Sequence, residues 1–168
     1  MEPIYFDHAA TTRVLPEAAQ AALRAMTEEY GNPSSLYALG TRAAKALAAH
    51  REAVAQALGC QAGEVIFTSG GTEGDNWAIS LAAHLGRHRG KHIITTAVEH
   101  AAVLEPCKAL EAQGYQVTYL TPGPDGRVKV ADLEAALRPD TVLVSMMLVN
   151  NETGAIQPVK EAGQVMKR

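Results

Sequence analysis

The segment Ser69-Gly70-Gly71-Thr72-Glu73-Gly74-Asp75-Asn76 joins an apolar run to an amphipathic stretch, and its residue types suit an anion. Paired glycines let successive backbone N–H groups turn toward a phosphate. Thr72 can cap the helix that follows, whose first-turn N–H groups and dipole favour negative charge, and its hydroxyl can donate to a phosphate oxygen. These parts fit a monophosphate. A Walker loop requires a Lys that is absent here, and a dinucleotide fingerprint requires glycine at 69, where the chain has Ser69. A tight strand-to-helix turn with no ligand accounts for the same residues.

Two further clusters carry chemistry. Glu99-His100 precedes the stretch AAVLEP, and an imidazole there can stack on a planar cofactor ring or shuttle a proton near neutral pH. It can equally serve as a helix cap or a surface histidine. Asn150-Asn151-Glu152-Thr153-Gly154 ends a strongly apolar run. An amide in that place can bond a ring hydroxyl or a carboxylate without adding charge, or simply belong to a polar turn. His50, His84, His88 and His92 have no partner at ligand spacing and read as solvated or structural. His8, beside Asp7, belongs either to a site or to an N-terminal turn. Cys60 and Cys107 form neither a disulfide framework nor a metal motif, and read as small buried or half-buried side chains.

The elements that must position these residues alternate. Helices are expected over 16–30, with Pro16 at its start, and over 39–58, closed by Gly59. Between them GNPSS (31–35) is a break. A short buried strand is expected at 65–68, then a helix over 72–85. Strand 92–98, helix 101–112, strand 116–120, helix 131–137, strand 141–149 and a last helix from Pro158 follow. This order predicts an α/β fold, a mostly parallel sheet with flanking helices. Ligands of such sheets gather at the carboxyl ends of the strands, where all three polar clusters fall.

The chain of 168 residues is long enough for one domain with a sizeable core, and its 47% hydrophobic and 20% charged residues are ordinary for a globular protein. A net charge of −3, with scattered basic residues, predicts no nucleic-acid partner. No apolar run is long enough to span a bilayer and the first residues are not a signal peptide, so no membrane association and a cytoplasmic location are expected.

Together the motifs resemble the NifS/IscS-type cysteine desulfurases, which are class V aminotransferase-family enzymes of pyridoxal-phosphate (PLP) fold type I. The resemblance runs from end to end: Tyr5-Phe6-Asp7-His8-Ala9-Ala10-Thr11-Thr12, GNPSS with Gly40 beyond it, TSGGTEGDNWAI, EHAAVLEP and VNNETGAIQPV, in family-like order and spacing. It implies that the cofactor is pyridoxal 5'-phosphate, with phosphate contacts from Gly71 and Thr72. By the same resemblance His100 stacks on the pyridine ring and takes part in proton transfer, and Asn151 contacts the cofactor. The implied activity is sulfur removal from L-cysteine. It leaves L-alanine and an enzyme persulfide for iron–sulfur cluster assembly or other sulfur transfer. Tyr37 and Gly74 depart from the common family residues at positions that carry no chemistry.

The family's Schiff-base lysine, its pyridine-pairing Asp and its persulfide cysteine all lie beyond the segment matched here. Lys160, Lys167, Cys60 and Cys107 do not match those motifs. The resemblance therefore implies the N-terminal part of an incomplete fold-type I large domain, with 1–15 as an N-terminal segment and 16–168 within the PLP-binding domain. It also implies a chain inactive alone, a complementary C-terminal polypeptide carrying the lysine and cysteine, a homodimer when completed, and a sulfur-acceptor protein. With three central strands missing, 65–67 would lose its pairing partners and 142–149 would present an open apolar edge. The competing expectations are a non-catalytic remnant that binds an acceptor or scaffold, and a related PLP-dependent lyase or aminotransferase.

Overall fold

The computed structural model of the chain describes residues 4–167, which fall into two compact units, Met1–Phe67 and Thr68–Arg168. The final position of the expected last helix, Arg168, lies outside the described residues. No helix among the described residues is long and apolar enough to cross a membrane.

The first unit is helical. Helix α1, Pro16–Thr27, begins on its proline and buries none of its residues, so the apolar face of Leu23 and Met26 is uncovered in this chain. Helix α2, Ala38–Leu58, stops at Gly59, whose φ of 69° is the left-handed conformation that suits glycine. The GNPSS turn packs onto the start of α2. Gly40 is buried there, and a Cβ on it would run into the carbonyl oxygens of Ser35 and Asn32. His8 lies in a turn, its ring edge-on to Tyr5.

Residues 65–68 were expected as a buried strand and form none. Ile66 and Phe67 are 63% and 47% exposed. An apolar run becomes a strand only when another strand takes up its N–H and C=O groups, and no strand among the described residues does so.

In the second unit, helix α3 (Gly71–Gly86) leads to strand β1 (His92–Thr96), helix α4 (Ala101–Glu111) to strand β2 (Gln116–Leu120), and helix α5 (Val130–Ala136) to strand β3 (Thr141–Val144). Helix α6, Val159–Val165, follows. The sheet has the order β2-β1-β3 and is entirely parallel, which bears out the expected fold class. β1 and β3 are shorter than the 92–98 and 141–149 expected, and β3 is an edge strand, half-buried along its length.

Alternation along β1 builds two cores. Ile93 points to α3 and α4, packing with Ile79, Ala83, Val103, Cys107 and Leu110. Ile94 points the other way, to Leu133 of α5, Ala162 of α6, Leu120 and Val128. Each fully buried isoleucine contributes about 1.5–3 kcal/mol of transfer free energy. The register against β3 shifts between His92 and Ile93, leaving Val142 as the extra residue. Val142 packs so closely on Gly86 that a Cβ there would lie 2.6 Å from the valine Cβ, so α3 approaches β3 over a glycine.

His92 is a structural histidine, as expected, and fully buried. Its Nδ1 is 2.7 Å from Thr141 Oγ1 on β3 and its Nε2 2.9 Å from Thr118 Oγ1 on β2, so one ring ties all three strands. Burial holds its pKa below the usual value, the nearby Arg138 charge acting the same way and Asp140 opposing. The folded chain therefore keeps the ring neutral where the unfolded chain, with a pKa near 6.5, takes up a proton. This stabilisation is present above that value and is lost as the pH falls through it toward the folded pKa. The urea midpoint of the chain should fall between about pH 7.5 and about pH 5, and His92→Gln should flatten that slope. An unchanged slope in the variant would assign the pH dependence to other groups.

Candidate functional site

Three polar segments meet the carboxyl end of the sheet. The α3 N-terminus bears the glycine loop, residues 97–100 follow β1, and residues 145–154 follow β3. α3 runs into the start of β1 through a short connection, so its first turn lies by the end of β1. A hydrogen bond from Asn76 on α3 to α4 confirms that placement.

At the loop, Gly70 is the N-cap of α3 and no side chain caps the helix. Cβ atoms at Gly70 or Gly71 would meet nothing within 4 Å, so the space before the loop is open. The loop already recruits one anion, since Ser69 N–H donates to Glu73 Oε2 at 2.6 Å and this bond holds the Glu73 carboxyl below its usual pKa. Thr72 is exposed. Uncapped first-turn donors, an exposed hydroxyl and open space are a donor set that fits a phosphate.

His100 caps α4, its Nδ1 accepting from the backbone N–H of Ala102 at 3.1 Å. The neutral ring that makes this bond carries its proton on Nε2. His100 is exposed, and the capping bond engages Nδ1 rather than Nε2.

The two asparagines divide their work. Asn150 is buried: its Nδ2 donates to Val98 O at 2.8 Å, and its Oδ1 accepts from the N–H groups of Glu152 and Thr153 at 3.0 and 2.8 Å. Asn151 is exposed and its Nδ2 donates to the neighbouring Glu152 Oε1, at 2.9 Å. The buried amide shapes the turn that presents the exposed one. Glu99, which the sequence pairs with His100, is instead buried and bonded to Thr96 and Met147.

Asn76 is the residue that motif reading passed over. Pro106 lies inside α4 and has no N–H for the carbonyl of Ala102, four residues earlier. Asn76 Nδ2 donates to that carbonyl at 3.2 Å and to Thr72 O at 2.8 Å. One amide thereby replaces a missing helix bond and ties the phosphate-type loop to the helix that His100 caps. A proline in mid-helix facing an asparagine on a neighbouring helix was the available signal.

The second unit is thus a parallel α/β layer with an anion cradle and polar side chains at its carboxyl edge, the layout of a cofactor-binding domain. The aminotransferase class-V family model matches residues 4–168, and the chain belongs to that family. Its enzymes depend on PLP. The chain is 49% identical over 164 residues to the cysteine desulfurase IscS of Methanosarcina thermophila, covering 98% of this chain and 41% of that protein. It is similar to the solved structure of a NifS-like protein, with a TM-score of 0.93 and 41% identity over 98% of this chain and 45% of the other. It also matches SspA in complex with cysteine, with a TM-score of 0.90 and 36% identity over 97% of this chain and 47% of that one. The chain spans about two-fifths of the length of the curated relatives it matches (41% of the IscS protein named above).

Neither cysteine is placed as a site nucleophile by sequence, and their environments differ. Cys107 is buried in the core between α4 and the sheet, and burial pushes its thiol up to about 11, with Glu111 and Glu99 adding to the shift. Cys60 is exposed. Iodoacetamide at about pH 8 should therefore label the folded chain once, on Cys60, and the unfolded chain at both cysteines, read by intact mass. Rapid labelling of Cys107 in the folded chain would contradict the burial described here.

Proposed function

We propose that this chain supplies the N-terminal, cofactor-holding part of a PLP-dependent cysteine desulfurase acting on L-cysteine. The observation that carries the reading is the convergence of an uncapped glycine loop, His100 and Asn151 at one sheet edge, held there by hydrogen bonds. A relative solved with cysteine bound supports the substrate. In this reading the Schiff-base lysine and the persulfide cysteine come from the remainder of the enzyme, which works as a cytoplasmic homodimer passing sulfur to an acceptor protein, as in iron–sulfur assembly. In the same reading 1–15 are an N-terminal segment and 16–168 belong to the first part of the PLP-binding domain.

The roles of this chain's residues follow from their donors. First-turn N–H groups at Gly71 and Thr72, with the Thr72 hydroxyl, hold the phosphate. The His100 imidazole lies against the pyridine ring and holds or releases a proton at Nε2, since Nδ1 is engaged by Ala102 N–H. The Asn151 amide bonds the ring substituents without adding charge. PLP, when bound, supplies the electron sink that weakens bonds at the substrate's α-carbon.

Two variants of the complete enzyme test this. Thr72→Val removes one hydrogen bond to a charged group and should weaken PLP binding by about tenfold or more. His100→Asn keeps an oxygen to cap α4 but loses the imidazole, so PLP should still bind while alanine formation from L-cysteine drops by about 10²–10⁴-fold. Full PLP affinity in the first and full turnover in the second would refute the assignment. A wild-type enzyme that forms no alanine from L-cysteine would refute the activity.

A further inference from the structure

Glu99 is the only acidic residue buried among the described residues, at 8% exposure, and the roles proposed for the site leave it unused. Its Oε1 accepts from Thr96 Oγ1 and from the backbone N–H of Met147, both at 2.8 Å. The position of the second bond is informative. The last backbone bond from the β3 side is Ser145 N–H to Ile94 O, at 2.9 Å. Two residues on, Met147 N–H is next in line to bond Thr96 O at the end of β1, but β3 has already ended at Val144 and that backbone bond is not made. Glu99 supplies the acceptor instead, adding one side-chain rung beyond the ladder. One residue before it, Val98 O receives the Asn150 amide, so residues 98–99 are fastened to 147–150 at two points.

We propose that Glu99 is a positioning residue: its rung to Met147 fixes where the segment bearing Asn151 leaves the sheet relative to His100. It thereby sets the spacing between the two side chains assigned to the cofactor ring. This rests on the PLP reading above. The rung needs an oxygen acceptor at that reach, and both its partners are neutral donors, which an amide oxygen can also serve. Alanine at 99 leaves Met147 N–H and the Thr96 hydroxyl without their acceptor, whereas glutamine keeps an oxygen in place.

The test uses the complete enzyme with PLP and compares Glu99→Ala and Glu99→Gln. Leu133→Ala, which opens the core on the face of α5 and α6, serves as a control for plain loss of stability. Three readouts are taken: the PLP dissociation constant, the visible circular dichroism per bound cofactor, and the melting temperature. Glu99→Gln should stay within about twofold of wild type in the first two, while Glu99→Ala weakens PLP binding about tenfold and changes the dichroism of the cofactor still bound. Leu133→Ala should lower only the melting temperature. If Glu99→Ala behaves like Leu133→Ala, the residue is structural and the proposal fails. If Glu99→Gln loses as much as Glu99→Ala, charge rather than the rung matters and the proposal also fails. A wild-type enzyme without a visible cofactor band would overturn the PLP reading itself, and this proposal with it.

Discussion

β1 is paired on both edges and covered on both faces, and all five of its residues are buried. A strand so enclosed has one register. Slipping by a residue would turn Ile93 and Ile94 into each other's cores and pull the His92 ring from both of its threonine partners. The positions of the segments beyond its carboxyl end inherit that constraint. His100 follows β1 by a few residues, and both bonds between the 98–99 segment and the segment after β3 start from this fixed end.

Where the backbone ladder stops, side chains take over its function. Glu99 accepts the N–H that a longer β3 would have brought to Thr96 O, Asn150 donates to the carbonyl of Val98, and Asn76 stands in for the amide that Pro106 lacks. Each is a substitution of a side chain for a backbone group, and each joins two segments that backbone bonding cannot reach. In partly buried surroundings such bonds are stronger than in water, and an unpaired member is costly. The carboxyl edge is therefore irregular in backbone and yet specified in geometry. Thr95 shows the opposite case. Its hydroxyl is buried without a partner among the described residues.

Much of this was legible in the sequence where the signal is local. Pro16 and Gly59 marked helix ends, and the alternation of apolar runs with helices gave a parallel sheet. The residues proposed for the cofactor, Gly71, Thr72, His100 and Asn151, lay in compact motifs. What failed needed a partner to be seen. The apolar run at 65–68 carries every local mark of a strand except the neighbour that would make it one, and β3 was read too long because its apolar pattern continues after its pairing stops. Asn76, Glu99 and Asn150 were named in their motifs, but the bonds they make were not foreseen, for a related reason. They reach partners 26, 48 and 52 residues away, and no spacing in one sequence encodes contacts of that range.

The open surfaces and the fastened site belong to different parts of the structure. β3 is half-buried at an edge, and Ile66 and Phe67 stand in solvent. Yet every bond that holds the glycine loop, His100 and the Asn151 turn together lies within residues 68–168. None of them passes through the open edge of β3. On the proposed reading, holding the cofactor and carrying out its chemistry are separable: the residues proposed for the phosphate and the ring are set by contacts internal to this layer. A lysine and a nucleophilic cysteine delivered from elsewhere would meet a site whose geometry is already determined, so their arrival has to complete the chemistry but not to organise the binding residues.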